Sequence, residues 1–93
     1  MNLNELRSQI DDLDEQIIAL LTKRLQIAQK IGKIKKETSS TPLCDPKREA
    51  EILEKISQRV DNPKLKLNLI KIYQEILNES KAAQKIIIQN KNY

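Results

Sequence analysis

The stretch IIALLTKRLQIAQKIGKIKK, residues 17–36, decides how this chain is read. Read as a helix together with the turns before it, it aligns Leu3, Leu6, Ile10, Leu13, Ile17, Leu20, Arg24, Ile27, Ile31 and Ile34 in one seam. The steps alternate three and four, the spacing of a helix that packs along its whole length. Every member is Leu or Ile except Arg24. A guanidinium in such a seam carries a heavy desolvation penalty unless an anion meets it. Either the seam opens to water at Arg24 or an anion is expected there.

Working outward, the first helix is expected from about Asn4 to Lys36, a span of roughly 50 Å. A chain of 93 residues makes a marginal core on its own, and it cannot cover a seam of that length. A partner chain is implied. Gly32 falls inside the pattern, at some expense of helix stability, and permits close approach of another backbone. The stretch KETSSTPLCD, residues 36–45, then breaks the periodicity with clustered Ser, Thr and Pro. Asp45-Pro46 reads as an N-cap followed by the first helical residue. A second, shorter helix carries Ile52, Leu53, Ile56 and Val60. Asn62-Pro63 repeats the signal and opens a third, long helix with Leu65, Leu69, Ile72, Ile76, Ser80, Ala83 and Ile87 at helical spacing. The expected fold is all-α: long helix, loop, short helix, tight turn, long helix, in a single domain over 1–93.

Composition narrows the function. One Gly, no Trp and no Phe, with Ile, Leu, Lys, Glu and Gln dominant, is helix-forming chemistry. The N-terminus MNLNELRSQI is too polar for a secretory signal, and the longest apolar run, IIALL, is too short to span a membrane. A single cysteine, Cys44, excludes an internal disulfide framework and suits a reducing cytoplasm. With no His, a transition-metal site is not expected. The net charge of +4 admits nucleic acid, an anionic surface or a small anion. Two tyrosines are a poor supply of stacking platforms for single strands.

Several polar residues occupy apolar places. Arg24 and Lys35 are eleven positions apart, so they share a face, roughly 16 Å apart along the axis. Two long cationic side chains leaning together can grip a small dianion, although a lysine near a helix end also suits the dipole. Arg7 is about 100° and roughly 25 Å away from Arg24 along the same helix. It cannot join Arg24's site within its own helix, but it can join that of an intertwined partner. Ser80 and Gln84 lie one turn apart, on and beside the third-helix seam; a core serine bonded to its own backbone is the plainer reading of Ser80. Arg48 and Glu49 stand at the start of the second helix, where a glutamate also simply suits the dipole. Cys44 reads as a small loop residue. No nucleophile–base pair or phosphate loop is seen. Such a set binds and polarises an anion rather than attacking it.

These residues resemble those of the all-α, bacterial-type chorismate mutase family. LRSQIDDLDEQIIALLTKRLQIAQKIGKIK is similar to that family's first helix, DPKREAEIL to the start of its second, and IYQEILNESKAAQ to its third, with serine and glutamine four apart. The likeness covers nearly the whole chain, though the loop after Lys35 is slightly longer than in the bacterial pattern. The resemblance implies two chains of three helices intertwined as a homodimer. It implies the Claisen rearrangement of chorismate to prephenate, on the route to phenylalanine and tyrosine, with no cofactor and no metal. By motif, Arg24 and Arg48 hold the substrate carboxylates, joined by Arg7 from the other subunit. Lys35 and Gln84 hydrogen-bond the breaking ether oxygen. Glu49, with the backbone at Asp45, holds the ring hydroxyl, and Ser80 supports a carboxylate. The catalytic expectation rests on Lys35, Gln84 and Arg24. Three rivals exist: an isochorismate pyruvate-lyase, which shares this fold; a regulatory or structural mutase-like domain without activity, against which the complete polar set speaks; and a basic helical dimerisation or nucleic-acid-binding module, which needs neither Ser80 nor Gln84.

Overall fold

Each helix begins where the sequence supplies acceptors for the first unpaired N–H groups. The computed structural model describes residues 1–38 and 42–90, and there the chain forms α1 (Leu3–Thr38), α2 (Pro46–Arg59) and α3 (Pro63–Gln89). Asn2 and Glu5 cap α1 reciprocally: Glu5 N donates to Asn2 Oδ1 at 2.9 Å, and Asn2 N donates to Glu5 Oε2 at 3.3 Å. Asp45 Oδ1 accepts from Arg48 N at 3.1 Å ahead of Pro46. Asn62 Oδ1 accepts from Lys64 N at 3.0 Å and Leu65 N at 3.1 Å ahead of Pro63. Both cap-and-proline signals therefore start helices as expected. α1 runs two residues past the expected Lys36, so Glu37 and Thr38 belong to it rather than to the loop. Part of that loop, residues 39–41, lies outside the described residues.

The helices pack through α3, which contacts both α1 and α2. Arg24 lies beside Tyr73, Gly32 against Gln84, and Lys36 Nζ on Asn90 O, so α1 and α3 run in the same direction. The contact does not use the Leu/Ile seam. Its buried members on α1 are Ala28 and Gly32, and on α3 they are Leu77, Gln84 and Ile87. Small residues on α1 allow the backbones to close, and a Cβ built on Gly32 would sit 3.0 Å from Gln84 Cα and 3.1 Å from Gln84 O.

The result is thin. The chain measures 53 × 27 × 14 Å, and 14 Å is little more than the roughly 10–12 Å diameter of one helix with its side chains. A single layer has no inside, and among the described residues only Ala28, Leu77 and Ile87 form a buried apolar core. Every residue from 1 to 20 is exposed. Leu13 is 54% and Leu20 64% exposed, so the first half of α1 is an uncovered apolar arm. The accessible surface is 7655 Å², against about 5,500 Å² for a folded monomer of this mass. Among the described residues, no helix is long and apolar enough to cross a membrane.

The Gly32 contact fixes a sign. In an open helical position Gly→Ala stabilises by about 1 kcal/mol. Here the added methyl meets the backbone of α3 at 3.0–3.1 Å, and a backbone cannot swing aside as a side chain can. Gly32→Ala is expected to lower stability by about 1–3 kcal/mol, read as a lower denaturation midpoint by circular dichroism. An unchanged or raised midpoint contradicts the close approach.

Candidate active site

The second half of α1, the start of α2 and the second half of α3 enclose a cavity of about 400 Å³, within the roughly 300–1,000 Å³ range of small-molecule sites. Of the residues singled out in the sequence, Arg24, Lys35, Asp45, Arg48, Glu49, Ser80 and Gln84 line it. Arg7 does not; it stands on the exposed arm of α1. The eleven-residue spacing does put Arg24 and Lys35 on one wall, and the third-helix pair faces them.

From Arg24 onward the α1 seam lines the cavity through Ile27 and Ile31, although Ile27, Ile31 and Ile34 remain exposed. The seam residues before it belong to the uncovered arm; Arg24 itself is half-buried, with its guanidinium carbon 5.9 Å from the Tyr73 ring centroid. That stacking holds the planar group without using its hydrogen-bond donors. Lys35 Nζ donates to Leu43 O at 3.3 Å. An ammonium has three donors, so this one contact ties the lysine to the loop and leaves others for a ligand. Arg48 sits in the first turn of α2 beside Lys47. Cations there oppose the helix dipole, an arrangement that an anion in the cavity reverses in sign.

Glu49 is held at both oxygens. Lys81 Nζ lies 3.1 Å from Oε1, and Cys44 Sγ donates to Oε2 at 3.4 Å. Cys44 is thus more than a spacer in the loop. Lys81 also lines the cavity and was missed in the sequence. Its one signal is position: three residues before Gln84, it shares that residue's face. Leu43 and Ile52, likewise lining the cavity, gave no signal beyond ordinary apolar residues. Among the described residues, four cations and two carboxylates line the wall, an excess of two positive charges.

Gln84 is the most telling member. It is only 7% exposed, and its Oε1 is buried with no hydrogen-bond partner among the described residues. A half-turn of the amide presents its N–H donors at the same place. Ser80, one turn earlier, is half-buried. Among the described residues, no group of three or more His, Cys, Asp or Glu is placed to hold a metal ion.

A three-helix chain with an apolar-floored, cation-rimmed cavity is built to hold a small, multiply charged anion. Comparison with known proteins gives that class a family. Residues 6–85 match the family model described as chorismate mutase type II. The chain is 34% identical over 94 residues to the chorismate mutase of Methanocaldococcus jannaschii, covering 97% of this chain and 94% of that protein. It is 37% identical over 97 residues to the bifunctional chorismate mutase/prephenate dehydratase of Aquifex aeolicus, covering 91% of this chain but 24% of that longer protein. The crystal structure of Helicobacter pylori chorismate mutase in complex with prephenate superposes with a TM-score of 0.80 at 39% identity, covering 95% of this chain and 94% of that one. The chain belongs to the type II chorismate mutase family, and by that membership it is an isomerase.

An unpaired buried amide oxygen weakens a fold by about 1–3 kcal/mol. Gln84→Met, close in shape and free of hydrogen-bonding groups, is therefore expected to raise the melting temperature of the ligand-free protein while impairing its activity. A melting temperature lowered as by a core truncation contradicts the reading of Gln84 as a group kept for a ligand.

Proposed function

We propose that this chain converts chorismate to prephenate as a homodimer, a single domain over 1–93, with each cavity completed by the partner subunit's Arg7. The observation that carries the proposal is a division within α1. Its second half brings Arg24 and Lys35 to the cavity, while its first half is an uncovered apolar arm bearing Arg7. One partner copy serves both needs: it covers the arm and receives its arginine. The single cysteine, Cys44, fits the cytoplasmic setting of such an enzyme.

The reaction breaks the ether C–O bond of the substrate and forms a C–C bond within the same molecule, with no proton exchanged. Two demands follow. The flexible dicarboxylate must be held in a compact, chair-like form, which is positioning. Negative charge then grows on the ether oxygen as the bond breaks, and donors fixed in advance stabilise it more in the transition state than in the ground state. Arg24, Arg48 and the partner subunit's Arg7 hold the two carboxylates, with Ser80 supporting one. Lys35 and the Gln84 amide donate to the ether oxygen. Glu49 and the backbone at Asp45 receive the ring hydroxyl. Arg24 lies in an otherwise apolar seam because a carboxylate completes it.

The direct test is prephenate formation by the purified chain, with chorismate and isochorismate assayed side by side. The shared site makes a stronger demand. Arg7→Ala and Arg24→Ala are each expected to be nearly inactive. In a heterodimer of the two, one cavity carries both lesions and the other carries neither. Mixing the inactive parents under conditions of subunit exchange is therefore expected to restore activity, towards about a quarter of wild type at equal mixing, since half the dimers then hold one intact site in two. No recovery despite demonstrated exchange contradicts the contribution of Arg7 across the interface.

A further inference from the structure

Lys81 takes no part in the mechanism above, yet it lines the same cavity. Its Nζ lies 3.1 Å from Glu49 Oε1, joining α3 to the first turn of α2. The two side chains are 29% and 24% exposed. Pairs with this much access to water contribute little to stability, and α2 already sets Ile52, Leu53 and Ile56 as half-buried apolar residues. Holding the fold together does not explain the pair.

The chemistry of the cavity does. A carboxylate on the wall of a site for a dicarboxylate repels its ligand. Glu49 nevertheless has to stand there, correctly turned, to accept a hydrogen bond from a hydroxyl without driving the dicarboxylate away. Both conditions hold together only if its charge is balanced by a cation that the ligand does not need. Lys81 stands at that place, and among the described residues it is the cation paired with Glu49. Cys44 Sγ fixes the other oxygen, so the carboxylate is oriented from two sides.

We propose that Lys81 is a positioning residue for the substrate site, acting through Glu49: it neutralises and orients that carboxylate so that the cavity accepts a hydroxylated dianion. It leaves Arg24, Lys35 and Arg48 for the ligand itself. This inference rests on the chorismate mutase reading of the cavity.

The test is a double-substitution cycle in the homodimer of this chain, with KM and kcat for chorismate measured for Lys81→Met, Glu49→Gln and the pair. Removing one partner of a close charge pair exposes the other, so Lys81→Met is expected to raise KM about tenfold and to change kcat much less. Glu49→Gln keeps an acceptor for the hydroxyl and removes the charge, so its effect is smaller. In the Glu49→Gln background, Lys81→Met is expected to raise KM by less than about twofold, because the charge it balances is gone. A tenfold effect that persists in that background overturns the proposal and puts Lys81 on the substrate itself. An unchanged KM in Lys81→Met overturns it as well. Lys81→Gln, which keeps polarity and length, repeats the cycle if the methionine variant folds poorly. Wild-type turnover reports separately on the underlying reading: an inactive wild type refutes the function, whereas an active wild type whose Lys81→Met effect persists in the Glu49→Gln background refutes only the role of Lys81.

Discussion

A layer one helix thick cannot bury its own apolar face. The chain is 14 Å across its short axis, so each helix has one neighbour at most on either side and none above or below. Domains bury the apolar stripes of their helices by packing layers against one another, and this chain supplies one layer. The consequence is visible in the arm of α1, where Leu3, Leu6, Ile10, Leu13, Ile17 and Leu20 are all exposed. In proteins most helical stability comes from packing an amphipathic face rather than from propensity. In the proposed homodimer a second copy supplies that packing.

The site follows from the same thinness. α1 and α3 approach closely at Gly32 and Gln84, and α2 lies on α3. The cavity is the gap left where α2 does not reach α1, and its walls come from three elements that share no common core. Polar groups there are cheaper to keep than in a thick globule, because the cavity is partly open to water. Gln84 shows the limit of that tolerance, being buried with an unpaired oxygen. Chemistry that depends on donors fixed before charge develops suits such a frame. The helices that carry the α1 and α3 donors are set against each other by a backbone contact, and Lys35 is tied further to Leu43 O.

Much of this was legible in the sequence, for definite reasons. Asp45-Pro46 and Asn62-Pro63 announce helix starts because acceptor and fixed φ are local properties. The close approach at Gly32 could be anticipated because little else justifies glycine inside a long helical pattern. The heptad seam of α1 reads as a packing surface, but within this chain it stays exposed, and periodicity does not say what covers it. The contact inside the chain rests instead on Ala28, Gly32 and Leu77, and small residues leave no hydrophobic period to read. Lys81 was invisible for a different reason. It is one of 17 basic residues in a chain of 93, and a lysine on an amphipathic helix reads as solvated surface until an acidic residue 32 positions earlier is found beside it. The burial of Gln84 beyond that of Ser80 also depended on where α1 crosses α3, which no local pattern encodes.

In the proposed homodimer, two copies make one folded, active unit. Sedimentation equilibrium of the purified chain at micromolar concentration tests it most directly, with helicity followed by circular dichroism on the same samples. The account predicts a species of twice 10.8 kDa, losing helical signal together with mass on dilution or in mild denaturant. A stable, fully helical species of 10.8 kDa would contradict it.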